Sequence, residues 1–172
     1  MEAVHAATIE TPVGPLRIAS TQRGLAFVEL PHASGRGLAG WLRRHGVARV
    51  EPGFAPNRLA AVQLAEYFEG KHTAFELPLD LRGTPFQLEV WRALLAIPYG
   101  ETRSYAEIAR AVARPAAVRA VGAANGANPI AIVVPCHRVI AADGSLGGYG
   151  GGLRLKARLL AMERSRAPGA LL

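Results

Sequence analysis

Residues 104–126 read SYAEIARAVARPAAVRAVGAANG. Ser104, followed three residues later by Glu107, forms a capping box and opens a predicted helix that runs to about Val112. A short turn follows. Pro115 then starts a third helix of this half, which passes through Arg119 and ends near Asn125–Gly126. Two helices of about ten residues with a short turn between them suggest helix-turn-helix. Many helical hairpins share that outline, so the pair fixes a helical unit and leaves its purpose open.

Upstream, Thr84–Pro85–Phe86–Gln87 is a second capping box with proline at the first helical position, and its helix should stop at about Ala96, before Pro98. Downstream, Ile130–Val134 is a short apolar run rich in β-branched residues and reads as a buried strand ending at Pro135–Cys136–His137–Arg138. Val139–Ile140 begins another extended piece. A glycine-rich loop, Gly144 to Gly152, precedes a last helix from Leu153 to about Arg164, and the tail from Ser165 to Leu172 is expected to fray.

The first 80 residues have a different texture. Thr8–Ile9, a turn at Pro12–Gly14, Leu16–Ala19 and Leu25–Leu30 predict two or three antiparallel strands. Gly35 to Arg44 is a candidate short helix. Asn57 to Glu69 is a stronger one, with Asn57 as cap, Gly70 as stop, and Leu59, Val62, Leu64, Tyr67 and Phe68 as the apolar face. Phe75–Leu81 alternates. The boundary is placed near Leu81 to Gly83, giving an α/β (α+β) chain with domains at 1–81 and 82–172. No internal repeat or low-complexity linker is visible.

Charge follows the same division. The formal net charge is +7; residues 1–80 hold eight basic and eight acidic side chains, whereas residues 81–172 hold twelve basic and five acidic. A polyanion-binding half joined to a neutral half would produce this asymmetry, and so would a basic surface that binds nothing. No stretch approaches 18 uninterrupted apolar residues, which argues against a membrane span. Met1–Ala7 has no basic segment followed by an apolar run, so no secretory signal is expected.

There is one cysteine, Cys136, so no intramolecular disulfide can form; a reducing, cytoplasmic location fits. A lone cysteine is more often an inert core residue than a nucleophile. A buried reactive thiol needs a nearby base, and that base needs an orienting acceptor. His137 is adjacent, but strand neighbours point to opposite faces, so a bridging water or a bent backbone is required. Glu163 is the only acid of the last helix and on spacing alone reads as a solvated helix-end charge. Histidines at 5, 32, 45, 72 and 137 give no metal-ligand spacing, and no cofactor is expected. The glycine loop lacks the Lys–Ser/Thr ending of a phosphate-binding loop.

Taken together, Asn128–Pro129 followed by Ile130–Ile140, with Pro135–Cys136–His137–Arg138 at its centre, resembles the active-site signature of the O6-alkylguanine-DNA alkyltransferases, or methylated-DNA–protein-cysteine methyltransferases. Phe86–Gln87, Val90–Trp91, Ile97–Glu101, Arg119–Gly122, Gly148–Gly152, Leu159–Leu160 and Glu163 extend the resemblance over roughly residues 84–165, while the first 80 residues match only in general organisation. The resemblance implies a ribonuclease H-like first domain and a mostly helical, winged-helix-like second domain.

It also implies roles. Cys136 is the alkyl acceptor, His137 takes its proton through a water, and Glu163 orients the imidazole. Asn128 braces the turn around the active site. Tyr105 hydrogen-bonds the flipped guanine and helps protonate it as it leaves. The carbonyls of Cys136 and Val139 accept from the guanine amino group, the Gly150 N–H reaches O6, and Tyr149 joins the substrate site. Arg119 fills the gap left by the extruded base, and Ala116, Ala117, Ala120 and Gly122 let its helix approach closely. Double-stranded DNA is bound through the minor groove by a monomer, with cooperative assembly left open. The transfer is single-turnover repair of guanine O6, with thymine O4 as a further candidate. Gly150 stands where other members often carry a larger or polar residue, and nothing matches the N-terminal metal site of some relatives. A non-catalytic damage-binding relative, a helix-turn-helix regulator with an inert cysteine, and a cysteine hydrolase are the rival readings.

Overall fold

A computed structural model of the chain describes residues 2–31, 37–71 and 73–167. Contacts divide it into two compact units. One is Met1–Arg82 together with Pro129–Ala131; the other is Gly83–Asn128 with Ile132–Leu172.

The first unit is a four-stranded sheet in the order β3-β2-β1-β4, built from β1 (Ala3–Thr11), β2 (Gly14–Thr21), β3 (Gly24–Glu29) and β4 (Arg49–Pro52). β1, β2 and β3 are antiparallel neighbours, as expected. The β1–β2 turn is held by Thr11, whose hydroxyl donates to Gly14 O at 2.7 Å and accepts from the Val13 N–H. β4 adds a parallel edge beside β1. Its four residues include three polar or proline positions, too little pattern to mark a strand in the sequence. α1 (Gly37–Arg44) closes one apolar cluster, in which Leu38, Trp41 and Val47 join Val4, Ala19, Ala26 and Phe27. Residues 35 and 36, which open the candidate helix in the sequence, lie outside the described residues.

α2 (Arg58–Phe68) forms where expected, but two details differ. Asn57 does not cap it. Its side chain is fully buried, donates to His5 O at 3.0 Å and Gly53 O at 2.7 Å, and accepts from the Ser20 hydroxyl at 2.6 Å. A short amide with two partners in the sheet and one just past β4 satisfies more donors and acceptors there than at the helix end. The buried face is also rotated: Leu59 and Val62 are exposed, and Ala60, Gln63, Leu64, Tyr67 and Phe68 face inward. Gln63 is admitted because its amide pairs both ways with the Glu76 backbone. Phe75–Leu81 forms no full strand, only a bridge from Leu79 to Leu25.

The second unit contains α3 (Pro85–Leu95), β5 (Arg103–Ser104), α4 (Tyr105–Ala111), α5 (Val118–Gly126), β6 (Val139–Ile140) and α6 (Leu153–Arg166). Both capping boxes close: the hydroxyls of Thr84 and Ser104 accept from the Gln87 and Glu107 amides, and those side chains return the bond. Trp91 Nε1 donates to Ala124 O at 2.9 Å and fastens α3 to α5. Val90, Leu94, Ile108, Ala109 and Val121 are buried among these helices. α4 and α5 stand in helix-turn-helix order. α5 starts at Val118, not at Pro115, because Ala117 N–H bonds to Arg114 O and holds Pro115–Ala116 in a turn. No helix of the described residues is long and apolar enough to cross a membrane.

The predicted strand at Ile130–Val134 is not one. Every residue of the run is buried, but Ile130 makes a single bridge to Val28, and the chain turns at Ile132–Val133 with Ile132 at φ +72°. Apolar periodicity reports burial, and a buried turn has the same signature as a buried strand. A β-branched residue in the left-handed region is strained, by about 1–2 kcal/mol.

Candidate active site

Cys136 does not hang from a strand end. After the turn at Ile132–Val133, Cys136–Arg138 form one 3-10 turn, with Cys136 N–H on Val134 O at 2.8 Å and Arg138 N–H on Pro135 O at 3.0 Å. This bent backbone replaces the strand geometry that set neighbouring side chains on opposite faces. Asn128 braces it from the preceding loop, its Nδ2 donating to Val134 O at 2.8 Å. The thiol is free and buried.

The acceptor for His137 is Glu163. Nε2 lies 2.6 Å from Glu163 Oε2, with the two side chains 0% and 1% exposed. The spacing argument for a solvated Glu163 therefore fails. The helix carries it inward because Arg138 supplies the compensating charge: Arg138 Nε donates to Oε1 at 2.7 Å and its terminal nitrogen to Oε2 at 3.2 Å. The remaining terminal nitrogen bonds to Ile97 O at 2.7 Å. Burial alone would raise the Glu163 pKa, but the bonds and charges of His137 and Arg138 overcome it and bring the carboxyl to about 2. Burial pushes His137 down, against the pull of Glu163.

These directions fix the tautomer. An ionised carboxylate only accepts, so the 2.6 Å contact requires a proton on Nε2. In a neutral ring Nδ1 then carries a lone pair, and it has no hydrogen-bond partner among the described residues. The assembly is a base held by an acid, which is in turn held by an arginine.

Around the sulfur, burial raises the Cys136 pKa, opposed by a hydrogen bond from Asn128 and the charge of Lys156. Asn125 Nδ2 donates to Cys136 O at 3.3 Å. Tyr105, the first residue of α4, has its pKa raised by burial and by Cys136, while a Gly148 backbone hydrogen bond works the other way. Tyr149 is half-buried with its hydroxyl fully buried, and burial together with Cys136 and Glu163 pushes that hydroxyl well up. Val139 O accepts from Lys156 Nζ at 2.6 Å. Thus Cys136, His137, Glu163, Asn128, Tyr105, Val139 and Tyr149 share one neighbourhood of hydrogen bonds and charges.

Arg119 and Gly150 are exposed. Arg119 is exposed in the first turn of α5 and has no hydrogen bond or ion pair among the described residues. Gly150 is exposed, and a Cβ there would meet nothing within 4 Å. Gly147 is the tighter glycine: its φ is +70° and a Cβ would lie 2.8 Å from the Tyr105 hydroxyl.

Three contributors escape a reading of the sequence: Arg138 as the clamp on Glu163, Asn125, and the fully buried Lys156. Lys156 had a signal. It stands seven residues before Glu163, two helical turns along the buried face that also holds Leu159 and Leu160. Among the described residues no group of three or more His, Cys, Asp or Glu side chains is placed to hold a metal ion.

The chain matches two family descriptions. Residues 4–81 match the ribonuclease-like domain of 6-O-methylguanine DNA methyltransferase, and residues 85–165 match its DNA binding domain. A methylated-DNA–protein-cysteine methyltransferase of Mycobacterium tuberculosis is 50% identical over 171 residues, covering 98% of this chain and 97% of the relative. The inducible enzyme of that name from Bacillus subtilis is 49% identical over 151 residues, 86% of this chain and 83% of its own. Among solved structures, the Mycobacterium tuberculosis OGT in complex with DNA superposes with a TM-score of 0.83 at 48% identity, covering 98% of this chain and 97% of that one. The O6-methylguanine-DNA methyltransferase of Pyrococcus kodakaraensis gives 0.64 at 26% identity, covering 93% and 98%.

Proposed function

The chain belongs to the O6-methylguanine-DNA methyltransferase family, and from that premise we propose that it repairs DNA by moving an alkyl group from guanine O6 onto its own Cys136. The observation that carries the reading is the buried contact of His137 Nε2 with Glu163 next to the only cysteine of the chain. It leaves Nδ1 as the one ring nitrogen able to take a proton.

The thiol proton passes to His137 Nδ1 through a bridging water, and Glu163 and Arg138 hold the resulting charge. The thiolate attacks the alkyl carbon; the C–S bond forms as the C–O bond breaks, and the electron pair leaves with guanine O6. Tyr105 hydrogen-bonds the leaving base and helps protonate it. The carbonyls of Cys136 and Val139 accept from the guanine amino group, the Gly150 N–H faces O6, and Tyr149 walls the pocket. The product is a thioether, and the sequence holds no second thiol. Each molecule therefore acts once. Thymine O4 presents the same alkyl–oxygen bond and is a second substrate to test.

The target carbon is stacked inside a duplex, so the base is flipped out first. The exposed Arg119 takes its place, with α5 in the minor groove, where Ala116 and Ala120 allow close approach. The twelve cations against five acids of residues 81–172 supply phosphate contacts to a monomer. Duplex affinity should fall with salt at a log–log slope of about −0.9 per neutralised phosphate. The deciding experiment is intact mass after incubation with O6-methylguanine duplex. One equivalent of protein should gain about 14 Da, the CH₂ added when a thiol becomes a methyl thioether, and Cys136→Ala should gain nothing. Repeated turnover by one protein molecule refutes the mechanism.

A further inference from the structure

Two acceptor atoms beside the reactive turn are buried without a hydrogen-bond partner among the described residues: His137 Nδ1 and Asn125 Oδ1. The first is the nitrogen that takes the thiol proton. The second belongs to a side chain in the last turn of α5, the helix whose first turn carries Arg119, and Asn125 is only 4% exposed. Its Nδ2 donates to Cys136 O at 3.3 Å. A carbonyl oxygen only accepts, so the amide nitrogen must be the end that faces it, and Oδ1 is the end left over.

The backbone holds this residue in place. Trp91 Nε1 donates to the preceding carbonyl, Ala124 O, at 2.9 Å, and Asn125 O accepts from the Asn128 N–H at 3.3 Å. Cys136 O belongs to the peptide group that joins Cys136 to His137. The Asn125 amide and the His137 ring therefore attach to one peptide group, the first by a hydrogen bond and the second through its own Cα. Buried amides in folded proteins are satisfied at both ends, by protein or by ordered water.

We propose that Asn125 is a positioning residue that holds the relay water: its Oδ1 accepts one O–H of the water that carries the Cys136 proton to His137 Nδ1. This deepens the alkyl-transfer reading and rests on it. A buried water makes about three hydrogen bonds. Before transfer it accepts from the thiol and donates to Nδ1. In the transfer the S–H bond and one water O–H bond break, while a new O–H bond and the Nδ1–H bond form. The thiol becomes a thiolate, the imidazole an imidazolium, and the water is whole again. It then accepts from Nδ1–H and donates to the sulfur. One O–H is left over in both states. Its partner must accept before and after, which a neutral amide oxygen does and a titrating group does not. With that O–H held, the water cannot turn its lone pair away from the thiol.

Leucine has nearly the shape of asparagine and no acceptor. In Asn125→Leu, the saturating rate with O6-benzylguanine and the rate with iodoacetamide should fall together, each about tenfold, the equivalent of one buried hydrogen bond. The half-saturating O6-benzylguanine concentration should not change. Iodoacetamide needs only the thiolate, so a shared loss lies in forming it. Asn125→Ala leaves room for a second water to take the leftover O–H, and it should lose less rate than Asn125→Leu. Packing ranks the variants the other way: alanine leaves a cavity and leucine fills it, so Asn125→Ala should be the less stable in a denaturant melt. A rate order that follows the stability order overturns the proposal. So does a rise in half-saturation with an unchanged iodoacetamide rate, which would confine Asn125 to holding Cys136 O.

A crystal structure of the wild-type protein covers the case in which the variants do not fold. It should show one ordered water within about 3.2 Å of both His137 Nδ1 and Asn125 Oδ1. A water on Nδ1 alone, or none, overturns the proposal. The alkyl-transfer reading fails separately, if iodoacetamide alkylates wild-type Cys136 while neither O6-benzylguanine nor O6-methylguanine duplex does.

Discussion

Each unit carries an arginine–carboxylate cluster, and the difference that matters is the third partner of the carboxylate. In the first unit, Arg82 grips Asp80 with Nε at 3.2 Å and a terminal nitrogen at 2.9 Å, and extends to Glu2. The third partner of Asp80 is the Thr21 hydroxyl, at 2.5 Å. In the second unit, Arg138 grips Glu163 in the same bidentate way, and the third partner is His137. A hydroxyl donor leaves nothing to titrate near neutral pH, so the first cluster is a clamp. An imidazole in that place leaves a second nitrogen, and with a thiol beside it the clamp becomes a proton relay. A buried ion pair by itself is therefore no sign of chemistry; the nature of the third partner is.

The comparison breaks or holds first on the carboxylates. Glu163→Gln should slow transfer by about 10²–10⁴-fold on both duplex DNA and free O6-benzylguanine, the range for losing a positioned acid–base group. Asp80→Asn should leave the single-turnover rate of folded protein unchanged while costing about 3 kcal/mol in a denaturant melt, as for a broken buried pair. A folded Asp80→Asn protein without transfer would erase the distinction.

Arg119 supplies a third arginine environment, exposed and unpaired among the described residues. Arg119→Ala should slow duplex repair about 10²-fold, corresponding to a few kcal/mol of base flipping, and barely affect the free base. Arg119→Lys should rescue only in part. Paired single-turnover rates decide it. An equal loss on both substrates would make Arg119 structural.

Acidification should sharpen the contrast. Both carboxyls are depressed, Glu163 to about 2 and Asp80 by its bonds to Arg82 and Thr21, against burial. A depressed acid contributes its stability fully above the unfolded value of about 4 and loses it as pH falls through the folded value. Acid melts of Glu163→Gln and Asp80→Asn should both lose a step below pH 4. Only the rate distinguishes the clusters: since burial lowers His137, activity should persist below the ordinary histidine value of about 6.5. An acid limb above that value would contradict a neutral resting imidazole. The smallest expected effect is on the loop. Gly147→Ala, at φ +70° and against Tyr105, should cost about 1 kcal/mol, near fivefold in rate, whereas Gly150→Ala should match wild type.

Local rules carried much of the fold. The Thr84 and Ser104 boxes were legible because a cap is written in four consecutive residues. Asn57 reads as a cap in the sequence but is not one, because its three partners are Ser20, His5 and Gly53, and only the last is near in sequence. The run from Ile130 to Val134 announced burial but not its turn. In the site, the residues around Cys136 were legible from one contiguous signature. Glu163, 27 residues downstream, was assigned by resemblance while its spacing argued for solvent. For Lys156, the pattern of α6 marks a buried-face position and no more, since the three carbonyls that meet its ammonium come from two other segments.

The two-residue ladder of the second unit has a consequence for chain length. β5 and β6 pair in parallel over two residues each, Arg103 with Val139 and Ser104 with Ile140. Ser104 caps the helix that carries Tyr105, and Val139 follows the turn that carries Cys136. An insertion of one residue among 141–145, before the Leu146 and Gly148 carbonyls that meet Lys156, can be taken up as slack by the loop. The same insertion between Cys136 and Val139 would slip the pairing by one and turn the β6 side chains to the opposite face. Insertions and deletions should therefore be tolerated on one side of β6 and lethal to transfer on the other.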